Sequence, residues 1–204
     1  MRVLLVDDHA IVRDGLKRLL ATSFTVELRE VADGREALAA LRRETFDIVI
    51  LDLNLPGIGG IELLKRVLLV SRAKVLIFSM HAEPLYVTRA LDAGAAGYIS
   101  KNIAPDELIA AVQRLAAGGR YVEQEIAQQL ALGSGATSQT MGQLTARELE
   151  IMRLLGQGRS VAEIAAVIGV GYKTVANTLS QMKMKLGAAR TADLVRMAVE
   201  AGVS

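Results

Sequence analysis

The chain has 204 residues, half of them apolar, enough to bury the core of one large domain or two modest ones without cross-links. The absence of cysteine excludes disulfides and thiolate metal sites and fits a reducing compartment. The net charge of +2 hides an asymmetry: residues 1–118 hold 15 basic and 15 acidic side chains, whereas residues 144–204 hold 8 and 5.

The opening MRVLLVDDH breaks its apolar run with acids after four residues, unlike a signal peptide. No apolar run approaches the roughly 20 residues of a membrane span, so a cytoplasmic protein without a membrane partner is expected. Short runs rich in Val, Ile and Leu follow at 3–6, 48–51 and 75–78, with weaker ones near 25–31 and 97–99. Between them lie segments with apolar spacing near 3.6, such as Leu108-Ile109, Val112 and Leu115. Strand and helix alternating five times predict an α/β fold over 1–118, with a five-stranded parallel sheet covered on both faces.

Residues 119–143 hold a short amphipathic piece, YVEQEIAQQLAL, and then GSGATSQTMGQ, and are predicted to be a linker. Residues 144–204 read as an all-α, four-helix domain. Thr145 with Glu148, and Ser160 with Glu163, have capping-box spacing. A third helix is predicted from about 172 to 186 and a fourth after Thr191. Helices joined by short glycine-containing turns suggest a helix-turn-helix. No acid lies between Glu163 and Asp193, whereas Lys173, Lys183, Lys185 and Arg190 do, which points to a polyanion partner.

Ligands of open parallel sheets bind outside the carboxyl ends of the strands. Asp7 and Asp8 end the first apolar run, Asp52 the third and Ser79 the fourth, and Lys101 follows the fifth, so these groups collect at one edge. Carboxylates about 4 Å apart repel by about 4 kcal/mol per pair at an effective dielectric near 20. Lys101 offsets part of this, and a hard, oxygen-seeking dication such as Mg²⁺ would offset the rest. Such a site suits a phosphoryl group. His9 reads as a surface residue, and PGIGGIE (56–62) lacks the glycine spacing of a dinucleotide fingerprint.

This set, with DLNLPGIGGIELL from Asp52 onward, resembles the receiver domain of two-component response regulators, whose sheet is flavodoxin-like. The resemblance implies that Asp52 accepts a phosphoryl group from a sensor histidine kinase. It implies that Asp8 and Asp52 hold Mg²⁺ directly, Asp7 through water and Asn54 through its carbonyl. Lys101 would pair with the acyl phosphate, Ser79 would take the hydroxyl position and Tyr98 the aromatic switch position. Asn102 stands where many receivers have proline, and Ser79 where threonine is commoner.

The segment LTARELEIMRLLGQGRSVAEIAAVIGVGYKTVANTLSQMKMKLG resembles the LuxR-type helix-turn-helix of NarL/FixJ response regulators. The resemblance implies double-stranded DNA as partner, with the third helix in the major groove. Lys173, Thr174, Asn177 and Gln181 would face bases or backbone, and Lys183 and Lys185 phosphates. Val175, Leu179, Met182 and Leu186 would face the core. Gly171 stands at a cap position where serine is usual, and Ala176 and Thr178 where basic residues and histidine are frequent. Fewer charged contacts imply reliance on a homodimer formed on phosphorylation. The last helix offers Leu194, Val195, Met197, Ala198 and Val199 to the core or to a partner. Two other readings remain: a metal-dependent phosphatase or phosphotransferase using Asp52 as nucleophile, and a constitutive DNA-binding protein. The first lacks a second catalytic Asp after Asp52, and the intact acid–lysine set argues against the second.

Overall fold

Each apolar run is a parallel strand in the computed structural model, which describes residues 1–132 and 144–200. In chain order the first unit contains β1 (Arg2–Val6), α1 (Ala10–Ser23), β2 (Glu27–Val31), α2 (Gly34–Arg43), β3 (Ile48–Leu51) and α3 (Gly60–Val70). It continues with β4 (Lys74–Ser79), α4 (Pro84–Asp92), β5 (Gly97–Ser100), α5 (Pro105–Ala116), β6 (Tyr121–Val122) and α6 (Gln124–Leu132). The strands lie in the order β2-β1-β3-β4-β5-β6, all parallel.

Alternate residues of the central strands enter two separate cores, as a strand's period of two demands. Leu4, Val6, Val49, Leu51, Val75 and Ile77 pack with Leu41, Leu63, Val67 and Val87 of α2, α3 and α4. Val3, Leu5, Ile50, Leu76 and Ile99 pack with Leu16 and Leu20 of α1 and with Leu108 and Val112 of α5. Both faces being covered explains why the runs carry no polar alternation.

Among the described residues the sheet has six strands where five are predicted. Tyr121 and Val122, in the span read as linker, pair with Gly97 and Tyr98. The following helix α6 buries Ile126 in the same core as α4. Two residues are too few for a periodic signal, and what admits them is Gly97: a Cβ there would lie 2.8 Å from the Tyr121 carbonyl oxygen. The segment GSGATSQTMGQ lies outside the described residues.

The second unit, considered by itself, contains α7 (Ala146–Gly156), α8 (Val161–Val167), α9 (Tyr172–Leu186) and α10 (Thr191–Glu200). Both capping boxes form, Thr145 with Glu148 and Ser160 with Glu163. Gly171 caps α9 without a side-chain hydrogen bond, and Gly187 ends it in the left-handed conformation at φ 66°. Val175, Leu179, Met182 and Leu186 are buried, as their spacing predicts. In α10, Leu194 and Ala198 are fully buried, whereas Val199 is exposed. No helix among the described residues is long and apolar enough to cross a membrane.

Candidate functional site

The site forms because parallel registry brings strand ends level. Ser79 of β4 stands opposite Ser100 of β5, and the Asp52 amide donates to the Val6 carbonyl at the end of β1. Asp7 and Asp52 are each 2% exposed. Between them lies the Lys101 ammonium, 2.6 Å from Asp7 Oδ2 and 2.7 Å from Asp52 Oδ2, with its side chain 8% exposed. Burial works against the charge of Lys101, but hydrogen bonds to Asp52 and Asp7 outweigh it and hold the ammonium above the usual lysine range. In this state a single cation neutralises part of a doubly acidic pocket.

Asp8 is more exposed and lies 2.8 Å from His9 Nδ1, which is also 3.1 Å from Asp7 Oδ1. Asp7, Asp8, His9 and Asp52 each offer a ligand atom, all within 4.8 Å of one another, a cluster able to hold a metal ion. His9, read from sequence as a surface residue, thus has its ring at the rim of the acid cluster. Asn54 sits on the loop after β3, its amide donating to Asp52 Oδ1 at 3.0 Å. Gly60 fixes that loop from behind, since a Cβ there would collide with the Leu53 backbone.

Ser79 is fully buried, and its Oγ accepts from the His81 amide at 3.2 Å. Tyr98 is also fully buried, and its hydroxyl donates to the His81 carbonyl at 2.5 Å. Burial is the main influence on this phenol and pushes it well above the usual tyrosine range, despite a hydrogen bond with Ser79 that works the other way. The loop after β4 is thereby held to both the hydroxyl and the aromatic positions.

His81 is the residue that the sequence reading left without a role. Its Nε2 lies 3.0 Å from Asn54 Oδ1, and its ring stacks on Tyr86 at 4.7 Å between centroids. A signal existed: Asn54 follows Asp52 by two residues and His81 follows Ser79 by two, on neighbouring parallel strands. Equal offsets on paired strands bring the loops together.

In the second unit, Lys173, Thr174, Asn177 and Gln181 are exposed on α9, opposite its buried stripe. Thr178 and Ser180 return their hydroxyls to the Thr174 and Ala176 carbonyls. Lys183 is half-buried. Lys185, expected among the phosphate contacts, pairs its ammonium with Glu148 at 2.6 and 2.8 Å. Burial raises the Glu148 carboxyl, but Lys185 and the two hydrogen bonds from Thr145 outweigh it and hold it below the usual range. The ion pair spans 37 residues of sequence, which no local pattern reveals.

A doubly wound sheet with an acid–lysine pocket at its carboxyl edge, followed by a helix-turn-helix, defines a two-part regulator. The model for the response regulator receiver domain matches residues 3–113, and that for bacterial regulatory proteins of the luxR family matches residues 142–198. The transcriptional activator protein ExaE of Pseudomonas putida is 40% identical over 209 residues, covering 100% of this chain and 98% of its own. The transcriptional regulatory protein UhpA of Escherichia coli (strain K12) is 40% identical over 195 residues, 95% of each chain. RcsB from Salmonella enterica serovar Typhimurium, bound to promoter rprA in the presence of phosphomimetic BeF3⁻, superposes with a TM-score of 0.64 at 26% identity, covering 97% of both chains. The chain belongs to the response regulators that join a receiver domain to a LuxR-type DNA-binding domain, and it is a transcription regulator.

Proposed function

We propose that Asp52 accepts a phosphoryl group from the phosphohistidine of a sensor kinase, and that this controls dimerisation and DNA binding by the second unit. The observation that carries the reading is the buried Asp52 carboxylate, paired with Lys101 at 2.7 Å and flanked by Asp7 and Asp8. An Asp52 carboxylate oxygen attacks phosphorus, the P–N bond breaks, and its electron pair stays on the kinase imidazole. The charge of the new acyl phosphate draws the Lys101 ammonium from the carboxylates to a phosphoryl oxygen. Ser79 turns its hydroxyl to a second oxygen, giving up the His81 amide. Tyr98, tied to the carbonyl of the same residue, follows the loop.

The donor set fits Mg²⁺: Asp7, Asp8, Asp52 and the Asn54 carbonyl supply only oxygen. Held by these residues, such an ion would supply positive charge to offset that of a phosphoryl group. Shifting a two-state receiver from 1:99 to 99:1 requires the phosphoryl contacts to favour one state by about 5.5 kcal/mol, within the reach of several charge-assisted hydrogen bonds.

For the second unit, the exposed face of Lys173, Thr174, Asn177 and Gln181 is the reading surface in the major groove, with Lys183 on phosphate. The promoter in the RcsB structure supports double-stranded DNA as the partner, and the acid-free charge of α9 supports it independently. Cytoplasmic residence follows from access to DNA.

Intact-protein mass spectrometry after incubation with acetyl phosphate and Mg²⁺ tests the first step. One phosphoryl adduct is expected on the wild type and none on Asp52→Ala. An adduct on the variant would show that another residue is the acceptor.

A further inference from the structure

The strand β5 ends one residue before Lys101, and its last amide has an unusual partner. The ladder between β6 and β5 includes bonds from the Tyr121 amide to the Ala96 carbonyl and from the Glu123 amide to the Tyr98 carbonyl. The next acceptor along the ladder would be the Glu123 carbonyl. That carbonyl instead accepts from the Ala127 amide and starts α6. The Ser100 amide is then met by the Glu123 carboxylate, Oε2 at 2.7 Å. Glu123 thus completes a strand with its side chain while its backbone begins a helix. Ser100, 7% exposed, has little water to replace this acceptor.

The same few residues adjoin the phosphorylation pocket. Ser100 Oγ accepts from the Asn102 amide, so Ser100 also shapes the turn that carries Lys101, and the Lys101 amide donates to the Ser79 carbonyl. On the other side, α6 packs on α4, with Ile126 in one core with Val87 and Ala90. α4 follows the loop held by Ser79 and Tyr98. From α6 the chain runs on through 133–143 to the second unit.

We propose that Glu123 is a positioning residue that ties the strand end carrying Lys101 to α6, so that events at Asp52 reach the segment leading to the helix-turn-helix. The role in signalling rests on the reading of Asp52 as phosphoacceptor, whereas the tie itself does not. Lys101 moving toward a phosphoryl oxygen pulls on the Ser100–Asn102 turn, and the carboxylate passes this to the first turn of α6.

Amide hydrogen exchange on the full chain tests both parts, using Glu123→Ala and Glu123→Gln. Glutamine keeps an oxygen that accepts the Ser100 amide; alanine keeps none. Without phosphodonor, the amides of Ser100 and of residues 126–132 should exchange roughly tenfold faster in Glu123→Ala, the scale of one lost charge-assisted hydrogen bond. Amides of β1 and β3 should not change, and Glu123→Gln should stay near the wild type. With acetyl phosphate and Mg²⁺, exchange in 126–132 should change in the wild type and not in Glu123→Ala carrying the same adduct mass. Unaltered exchange at Ser100 and 126–132 in unphosphorylated Glu123→Ala would overturn the tie. An adduct-bearing Glu123→Ala that still alters 126–132 would overturn the transmission. A wild type that takes no adduct would instead sink the phosphoacceptor reading, and the comparison without phosphodonor would still decide the tie.

Discussion

Lys185→Met separates folding from DNA binding in the second unit. Removing the ammonium breaks two hydrogen bonds to Glu148, whose side chain is 5% exposed, while that of Lys185 is 37% exposed. A fully buried pair broken on one side costs about 3–5 kcal/mol, and solvent around the lysine reduces this to about 2 kcal/mol. For a domain of this size that lowers the unfolding midpoint by about 10 °C, measurable by calorimetry on the full chain. The Glu148 carboxyl is held low in the folded chain, so the pair contributes fully above the unfolded carboxyl's pKa of about 4.3 and its contribution fades as pH falls through the lowered folded value. The difference between wild type and variant should therefore shrink in strongly acidic solution. Binding to duplex DNA, followed by fluorescence anisotropy over a salt series, should keep its salt slope in Lys185→Met. Lys173→Ala should do the reverse, leaving the midpoint nearly unchanged and lowering the slope by about 0.9 per bound chain. A Lys185→Met protein with an unchanged midpoint and a lowered slope would refute the placement of this lysine.

Other perturbations address the receiver. Lys101→Met leaves Asp7 and Asp52 without their shared cation and should cost about 3 kcal/mol in urea unfolding at neutral pH. Because the folded Lys101 value is raised, its stabilisation is complete below the unfolded lysine's pKa of about 10.4 and is lost as pH rises through the folded value; the variant should lack that alkaline loss. Tyr98→Phe removes the donor to the His81 carbonyl and should cost about 1–3 kcal/mol by the same method. Gly60→Ala drives a methyl into the Leu53 backbone and should cost about 1–3 kcal/mol while slowing adduct formation in a mass-spectrometric time course.

The pocket was legible because continuous apolar runs ended in Asp7, Asp52 and Ser79, and a parallel sheet places such ends side by side. The helix-turn-helix was legible because capping pairs and core spacing are local. What sequence left hidden depends on distance. β6 is only Tyr121–Val122, and its existence rests on the bare backbone of Gly97. The rim position of His9, the bridge of His81 to Asn54 and the pairing of Lys185 with Glu148 arise from three-dimensional neighbours. Charge patterning placed Lys185 with the other lysines of α9, because a side chain's partner 37 residues away leaves no trace in local composition.

The two-residue length of β6 has a further consequence, for how copies of the chain can meet. An unpaired strand edge is a template for another strand. At one side of this sheet, β6 stops after two residues and turns into α6. At the other, β2 carries Glu27, Arg29 and Glu30, engaged with Arg2, Glu44 and Arg13. One border is too short and the other too charged to recruit a neighbouring strand. In the dimer proposed above, contacts between receivers would therefore fall to helical surfaces and leave the sheet that holds Asp52 undisturbed.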